Sequence, residues 1–353
     1  MKFLKDKQTR HDFVTYAMCI VAFAIVFFMQ SNHMIPRMIA GQLVPITAYI
    51  VMAISLNLVV GIAGDLSLGH AGFMAVGAFA SAVITKSWAV STAISFPVAL
   101  IVGGLIAAVF GLVIGIPALR LKGDYLAIVT LAFGEIIKEL INCLIIGHDE
   151  NGLHIIFNAT GAKTVTDLGL TETGKVLIKG AQGATGTDTI ASFAAGFILI
   201  MVTLVVVLNL ARSRSGRAIM ALRDNRIAAE SVGINVTKYK LMAFVTSAAL
   251  AGGAGALYGL NFSNLVSSKF DFNTSILILV FVVLGGLGNM WGSIIAAAVL
   301  TVLPEALRGF ADYRMLIYAI VLIVVMLATN SPQMKALLSK LVPFGKKGEK
   351  EHA

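Results

Sequence analysis

Three groups that can do chemistry stand close together in one stretch of the chain, GIAGDLSLGHAGF, residues 61–73. Asp65, Ser67 and His70 supply a carboxylate, a hydroxyl and an imidazole, with apolar sequence on both sides. Ionisable groups inside an apolar membrane segment are functional candidates because they are costly to place there. Two interpretations stay open for Asp65 and His70: a buried hydrogen-bonded pair, or the lining of a solute pathway.

The glycines of this stretch, Gly69 among them, would let the backbone approach either a ligand or a neighbouring helix closely. Helix packing is the commoner use of small residues in membranes. Asp65 or Ser67 would cap a helix that we expect to begin near Leu66. The exposed N–H groups at such a helix end favour anions, including a solute carboxylate.

A second glycine-rich interruption, GGLGNMWG, occupies residues 285–292. Irregular backbone at membrane depth is tolerated where it is buried in protein or lines a cavity. One such break in each half of a chain points to the central site of a transporter. Together with Glu135, the two breaks define a candidate substrate pathway. Its residues are Asp65, Ser67, Gly69, His70, Glu135, Gly285, Gly286, Gly288 and Asn289.

Glu135 is a second ionisable group expected within the membrane. At the helical rise of about 1.5 Å per residue, it lies about 17 Å along a helix counted from Asp124, near the middle of the bilayer. Lys138 is one turn away and could neutralise it. The sequence favours this pair slightly over a solute contact.

The sequence contains no hydrolytic triad, metal-ligand spacing or dinucleotide fingerprint, so we expect neither an enzyme nor a metal site. One near-match, GLTETGKV at residues 169–176, resembles a phosphate-binding loop. Val176 replaces the Ser or Thr that would hold Mg²⁺, and no strand is predicted before it. We therefore reject it as a nucleotide site.

Composition assigns the chain to the membrane. Of its 353 residues, 58% are hydrophobic and 13% are charged, whereas a soluble domain has about 25% charged residues. The mean hydropathy is +0.89 and the apolar runs are continuous, which indicates helices. The net charge of +9 does not indicate nucleic-acid binding, because the basic residues cluster at the termini and within residues 212–240.

These runs predict one transmembrane domain, residues 1–353: an all-α polytopic membrane protein of about ten helices, with broken or half helices in two pseudo-repeated halves. An even number of spans and the positions of the basic residues put both termini in the cytoplasm. Residues 147–188 then form an extracytoplasmic loop, and residues 211–240 a cytoplasmic segment. The predicted spans are 13–30, 38–60, 66–85, 92–116, 125–146, 189–210, 241–260, 275–288, 292–308 and 313–329.

The cytoplasmic segment contains a predicted amphipathic helix, residues 217–231. Ile219, Leu222 and Ala229 recur at helical spacing on one side, and Gly233 would end the helix. Such a helix could rest on anionic lipid or dock onto a protein. We favour protein docking because the helix has little bulky apolar surface and carries acids as well as bases.

Four motifs in order resemble the LivM-type permease subunit of branched-chain amino acid ABC importers. They occupy residues 65–82, 119–137, 213–259 and 282–308. Each motif alone is weakly specific, but the four in the family's order are specific. The matching stretches together cover more than half of the chain. The resemblance implies an importer that works by alternating access in the cytoplasmic membrane.

The resemblance also implies partners: a homologous LivH-type permease, two cytoplasmic ATPase subunits that bind the ATP, and an extracytoplasmic solute-binding protein. No cofactor of the chain's own is implied. Residues 215–233 match the family's cytoplasmic segment, so docking on an ATPase is expected there, with Arg223 and Asp224 in the contact. The candidate coupling residues are Gly216, Arg217, Arg223, Asp224, Glu230 and Gly233.

The motif after the fifth span departs from the family pattern, and this leaves the solute open. In IGHDENGLH, residues 146–154, only Asn151, Gly152 and Leu153 fit that pattern. Branched-chain amino acids (leucine, isoleucine and valine) are the expected solutes, and urea or short amides are the alternative. An ion-coupled secondary transporter that works alone is the rival from another class, since it too has broken helices.

Overall fold

The structure is a computed structural model that describes residues 7–32, 34, 36–87, 91–121, 123–150, 152–158, 165–169, 174–307, 313, 316–317 and 319–323. The chain forms two compact units, residues 1–298 and 299–353. In the second unit, the described residues include the end of the last long helix and a helical stretch at 319–323. All contacts discussed below lie within the first unit.

Helices dominate the described residues. Four of them are long and apolar enough to cross a membrane, namely Met38–Ile62, Thr92–Ala118, Phe193–Arg212 and Val236–Gly259. The predicted helical polytopic architecture is thereby confirmed. The α-helices are α1 (Lys7–Ser31), α2 (Arg37–Ala40), α3 (Leu43–Asn57), α4 (His70–Ser87), α5 (Thr92–Ala118), α6 (Asp124–Asn142), α7 (Phe193–Arg212), α8 (Arg214–Asp224), α9 (Arg226–Ser231), α10 (Val236–Gly259), α11 (Phe272–Gly285) and α12 (Met290–Ala306).

Several predicted helix boundaries are off by a few residues, and at two of them the structure is of another type. The third span was expected from residue 66, but α4 begins at His70, because Gly64 adopts a positive φ of 74° and residues 64–69 are not helical. The fifth span was expected to reach residue 146, but α6 ends at Asn142 and a strand follows. The tenth span, 313–329, lies mostly outside the described residues.

Helices α4, α5 and α10 cross at small residues. A Cβ atom added to Gly77 of α4 would collide with the carbonyl oxygen of Gly252 in α10, and one added to Gly255 would collide with that of Met74. Backbones in such close contact gain dispersion energy along the whole crossing, which replaces the hydrophobic drive that lipid cannot supply. The small residues at 251–259 therefore pack helices.

One end of the helix bundle carries short β-structure, which the all-α prediction did not include. Strands β1 (Leu144–Asp149), β2 (Gly152–Phe157) and β3 (Lys175–Lys179) form an antiparallel sheet in the order β2-β1-β3. Two-residue strands β4 (Ala184–Thr185) and β5 (Asn264–Leu265) pair beside it. The apolar run that continues past Asn142 is the start of β1 rather than the end of a helix.

The strand β3 bears on the rejected phosphate-binding motif. Lys175 and Val176, its last two residues, lie in β3. A phosphate-binding loop must instead lead into a helix whose N–H groups face the phosphates. The local fold therefore agrees with the rejection.

Two adjacent glycines of α10 give a matched test of this packing. A Cβ at Gly252 would lie against Ala107 and 2.7 Å from the carbonyl oxygen of Gly103, whereas one at Gly253 would meet only the Leu199 side chain, at 3.7 Å. We expect Gly252→Ala to lower the free energy of unfolding by about 1–3 kcal/mol through overpacking. Gly253→Ala should be neutral or stabilising by up to about 1 kcal/mol, because alanine favours helix. The unfolding temperatures of the purified variants in detergent measure the difference, and equal values would contradict the packing.

Candidate functional site

The segment between α7 and α10 folds into two helices rather than the predicted single helix 217–231. The Ser213 hydroxyl accepts a hydrogen bond from the N–H of Gly216 (3.1 Å) and caps α8. Asn225 is extended (φ −153°), and its side chain accepts from the N–H of Ala228 (3.0 Å), which starts α9. An asparagine that satisfies the new helix's first N–H groups makes this break favourable.

The apolar side of this segment is buried as predicted. Ile219, Leu222 and Ala229 are inaccessible to solvent, and Leu222 and Ala229 pack with Val236 at the start of α10. Gly233 adopts a positive φ of 84° just beyond α9, and its N–H donates to the carbonyl of Glu230 (3.0 Å). The segment α8–α9 therefore has a defined fold of its own, held by a small apolar cluster.

Two of the candidate coupling residues stabilise the corner between α7 and α8. Gly216 is buried, and a Cβ there would collide with the carbonyl oxygens of Leu210 and Ala211. Arg217 donates to the carbonyl of Arg212 (3.0 Å). Glu230, by contrast, forms an exposed ion pair with Arg226 on α9 (2.9 Å).

The Arg223 side chain is 41% exposed and contacts the edge of the helix bundle, and its predicted contact with a partner stays a prediction. Its guanidinium donates to the carbonyl of Gly61 (2.9 Å) and also binds the carboxylate of Asp224 (3.0 Å). Its aliphatic stem covers Gly64, where a Cβ would lie 2.5 Å from Arg223 Cγ. Arg223 therefore connects α8 to the first glycine-rich break.

Asp65 lies at the same end of the bundle, which we call the basic end. It forms an ion pair with Lys240 of α10, and the side chains are 12% and 13% exposed. The pair borders a cavity of about 200 Å³. The cavity is lined by Ala63, Gly64, Asp65, Leu121, Gly123, Leu222, Arg223, Arg226 and Lys240.

His70 lies deeper and does not pair with Asp65. Its Nε2 is 3.0 Å from the hydroxyl of Ser55 and 3.2 Å from that of Ser247. Ser247 is seven residues beyond Lys240 along α10, which is about 10 Å. The predicted pair between Asp65 and His70 is therefore wrong, because each hydrogen-bonds to another partner; that either residue lines a solute pathway stays a prediction.

The N-terminal end of α4 is buried among polar groups. The N–H of Leu68 donates to the Thr130 hydroxyl and that of Ala71 to the Ser275 hydroxyl, both at 3.1 Å. Within the described part of the chain, the buried hydroxyl of Ser67 and Nδ1 of His70 have no hydrogen-bond partner. Buried polar atoms are rarely left unsatisfied, so these two could take a polar ligand or water.

Gly69 sits directly against α6. A Cβ there would collide with the carbonyl oxygen of Thr130. Gly72 makes a similar approach to Gly134, at 2.9 Å from its Cα. This geometry favours the packing interpretation of both glycines.

Glu135, on α6, has two partners and contacts the start of α11, the end of that helix opposite to the second break. It forms an ion pair with Lys138, and its Oε1 accepts from the N–H of Phe272 at the start of α11 (3.0 Å). The predicted pairing with Lys138 is confirmed. A carboxylate beside the N–H groups that begin a helix is also favoured by the helix dipole.

The second break is a tight turn between α11 and α12. Gly286 and Gly288 both have positive φ, 95° and 80°, which only glycine adopts without strain. Gly285 packs on the backbone of Gly292 so closely that a Cβ has no room. The sequence thus predicted the position of this break, and its glycines are required by the backbone conformation.

Asn57 holds this turn, a role that the sequence did not predict. Its Oδ1 accepts from the N–H of Gly288 (2.8 Å). Its Nδ2 donates to the carbonyl of Asn289 (3.1 Å) and the hydroxyl of Ser293 (2.9 Å). The signal for it was a lone amide in an apolar run, SLNLV, where a polar group needs partners.

The two breaks also meet directly. A Cβ at Gly61 would collide with the backbone nitrogen of Gly288 and lie 2.8 Å from its Cα. Gly61 belongs to a π-helical turn, Leu58–Ile62, that extends α3.

In the described residues, no group of three or more His, Cys, Asp or Glu side chains could hold a metal ion.

Residues 38–327 match the family model described as "Branched-chain amino acid transport system / permease component". The chain belongs to this family. Its relatives include proteins named high-affinity branched-chain amino acid transport system permease protein LivM, from Escherichia coli (36% identical over 285 residues) and Salmonella typhimurium (35%). Each alignment covers 79% of this chain and 66% of the relative, so the chain spans slightly less than two thirds of their length.

A second kind of relative carries a different subunit name. A probable branched-chain amino acid transport permease protein LivH from Methanocaldococcus jannaschii is 24% identical over 301 residues, 81% of this chain and 88% of the relative. The family thus contains both LivM and LivH permease proteins, which indicates a transport system of several subunits. No solved structure matches the chain.

The Asp65–Lys240 pair can be tested by a double-mutant cycle. Because both side chains are mostly buried, Asp65→Asn should leave Lys240 without a counter-charge and cost about 3 kcal/mol of unfolding free energy. Adding Lys240→Met should recover part of that loss. Arg226→Gln, which breaks an exposed pair, is the control and should cost at most about 1 kcal/mol. Thermal unfolding in detergent measures the wild type, Asp65→Asn, Lys240→Met, the double variant and the control. Additive losses would show that the two charges are not coupled.

Proposed function

We propose that this chain is a membrane-spanning permease subunit of an ATP-binding-cassette importer for branched-chain amino acids: leucine, isoleucine and valine. The observation that carries the proposal is the folded segment α8–α9 in a chain whose residues 38–327 match a permease family. A transporter that works alone has no need of a structured helix pair outside its bundle. The LivM names of the relatives support the solute class.

The proposed assembly contains a homologous LivH-type permease, two cytoplasmic ATPases that bind the ATP, and an extracytoplasmic solute-binding protein. The similarity to LivH proteins supports the first partner, since two related permeases can enclose one path. In this arrangement the chain is a multi-pass protein of the cytoplasmic membrane, with both termini and residues 211–240 in the cytoplasm. The basic residues near Arg223 and Lys240 support this orientation.

The surface of α8–α9 that faces away from the bundle suits a protein partner. Ile227 is 81% exposed and Val232 is 75% exposed. Two of the segment's arginines, Arg223 and Arg226, are paired with Asp224 and Glu230, which weakens attraction to anionic lipid. Ile227 and Val232 leave apolar surface that a protein partner can cover, and we propose that this partner is an ATPase subunit.

The proposed solute path follows the two breaks. Ser67, Gly69 and His70 lie at the buried start of α4, where the unpartnered hydroxyl of Ser67 can donate to a carboxylate. Gly285, Gly286, Gly288 and Asn289 border the path at the basic end. Asp65 and Glu135 are occupied by lysines in this conformation, so we propose that they hold helices in place and contact the solute at most transiently.

The function can be tested by reconstitution. Liposomes that contain this chain, a LivH-type permease and both ATPases should accumulate leucine only with ATP and the binding protein. The chain alone should accumulate none under a proton or sodium gradient. Gradient-driven uptake by the chain alone would overturn the importer proposal and support a secondary transporter. If urea or acetamide, and not valine, competes with the transported solute, the alternative solute class is correct.

The docking surface can be tested with two charge changes on the same segment. A residue at the centre of a docked surface contributes about 2 kcal/mol, so Ile227→Glu should weaken ATPase binding roughly 30-fold. Arg214→Glu, an exposed change at the start of α8, should have an effect below about threefold because charges at the rim of a contact contribute little. Co-purification of the ATPase at matched membrane levels measures both.

If the helix pair only rests on lipid, the effects of the two variants should have the reverse order. Each basic residue then contributes about 1 kcal/mol, and salt screens the attraction. Arg214→Glu would release the segment from lipid more than Ile227→Glu, and the effect of the charge change would weaken with salt. That order would contradict the docking proposal.

A further inference from the structure

A continuous set of contacts joins the segment α8–α9 to the turn between α11 and α12. It begins at Arg223, whose guanidinium donates to the carbonyl of Gly61. Gly61 lies against the backbone of Gly288, and Asn57, four residues before Gly61, binds Gly288 and Asn289. Two glycine-rich breaks and a segment outside the bundle thus meet at one point.

We infer that Asn57 and Arg223 are positioning residues that transmit movement of α8–α9 to the turn 286–289, at the basic end of the solute path. The inference rests on the proposed function, because the movement it needs comes from an ATPase docked on α8–α9. Neither residue is required to touch the solute. Their role is to make the turn follow the docked segment.

The contact at Gly61 is suited to transmit a small displacement. Backbone meets backbone there, and the side chain beside this contact, that of Asn57, is itself hydrogen-bonded to the N–H of Gly288. Packed interiors transmit strain because they contain few voids. The π-helical turn around Gly61 is a conformation that occurs mostly at functional sites in helices.

Asn57 makes the connection two-sided. One amide supplies both an acceptor for the N–H of Gly288 and a donor for the carbonyl of Asn289. Movement of α3 in either direction therefore moves the turn. Asn57 is fully buried, and an amide left there without partners costs about 1–3 kcal/mol, so these hydrogen bonds are not readily released.

Arg223 holds two partners at once, the carbonyl of Gly61 and the carboxylate of Asp224 at the end of its own helix. A guanidinium has five donors in a rigid fork, which allows this double contact. Lysine keeps the charge but offers a single point of contact. Arg223→Lys should therefore weaken the connection while the net charge of α8 stays the same.

Leu287, at the tip of the turn and 58% exposed, provides a reporter that does not depend on transport. In a background without Cys19 and Cys143, Leu287→Cys in the assembled complex is labelled with a water-soluble maleimide. We expect the labelling rate to change severalfold between the nucleotide-free complex and one trapped with a non-hydrolysable ATP analogue. Arg223→Ala, Arg223→Lys and Asn57→Leu should abolish or reduce that change while ATPase binding is retained.

Two control variants match these changes. Arg226→Ala removes an equal charge from α9, where the side chain pairs with Glu230 and not with Gly61. Thr47→Val removes a buried hydroxyl from α3 that bonds only within its own helix, to the carbonyl of Val44. Both should keep the nucleotide-dependent labelling. In the same proteins, leucine transported per ATP hydrolysed should fall about tenfold for Arg223→Ala and be unchanged for the controls.

The outcomes separate this inference from the proposed function. If ATP-driven leucine transport occurs and Arg223→Ala leaves both labelling and the transport ratio unchanged, the inference is wrong and the proposed function stands. A merely structural Asn57 would lower the amount of folded complex and leave the ratio of what remains intact. Should Asn57→Leu fail to assemble, Arg223→Ala and Arg223→Lys decide, because they alter no buried amide. If the wild-type complex shows neither ATP-driven transport nor nucleotide-dependent labelling, both proposals fail.

Discussion

The structure depends on one constraint: a backbone N–H or C=O inside a membrane has no water to bond, so every interruption of a helix must find partners within the protein. This chain interrupts its helices twice and satisfies each interruption with polar side chains from a distant helix. Thr130 and Ser275 serve the start of α4, and Asn57 serves the turn between α11 and α12. Backbone groups of both breaks are therefore satisfied by side chains of the protein itself.

The same constraint explains why glycine is so common where helices cross. Helices in lipid gain little from burying apolar side chains, so they associate through close backbone contact and hydrogen bonds. Gly77 against Gly252 and Gly61 against Gly288 are two uses of this contact. The first lies in a static crossing of α4 and α10. The second joins two breaks, and there close packing becomes a means to couple them.

Charge is used differently at the two ends of the bundle. At the basic end, Arg223 and Lys240 reach inward to Gly61 and Asp65, so the folded segment α8–α9 is tied to the membrane helices. Its outward surface then presents Ile227, an apolar group, to a partner. At the other end, Glu135 and Lys138 fix the start of α11. The start of α11 is thus held by the ion-paired Glu135, and the turn at its other end by the amide of Asn57.

The sequence by itself determined the apolar helices, both glycine-rich breaks, the buried side of α8–α9 and the end of that segment at Gly233, because each is encoded by residues within a few turns of one another. The helix break at Asn225 and the strands after Asn142 were missed, because a short apolar run does not by itself distinguish a strand from the continuation of a helix. Only the tertiary structure decided that Asp65 binds Lys240, that Arg223 turns toward Gly61 and that Asn57 holds Gly288. Those partners lie 175, 162 and 231 residues apart in the chain, and no local pattern can specify which distant helix will stand beside a given side chain.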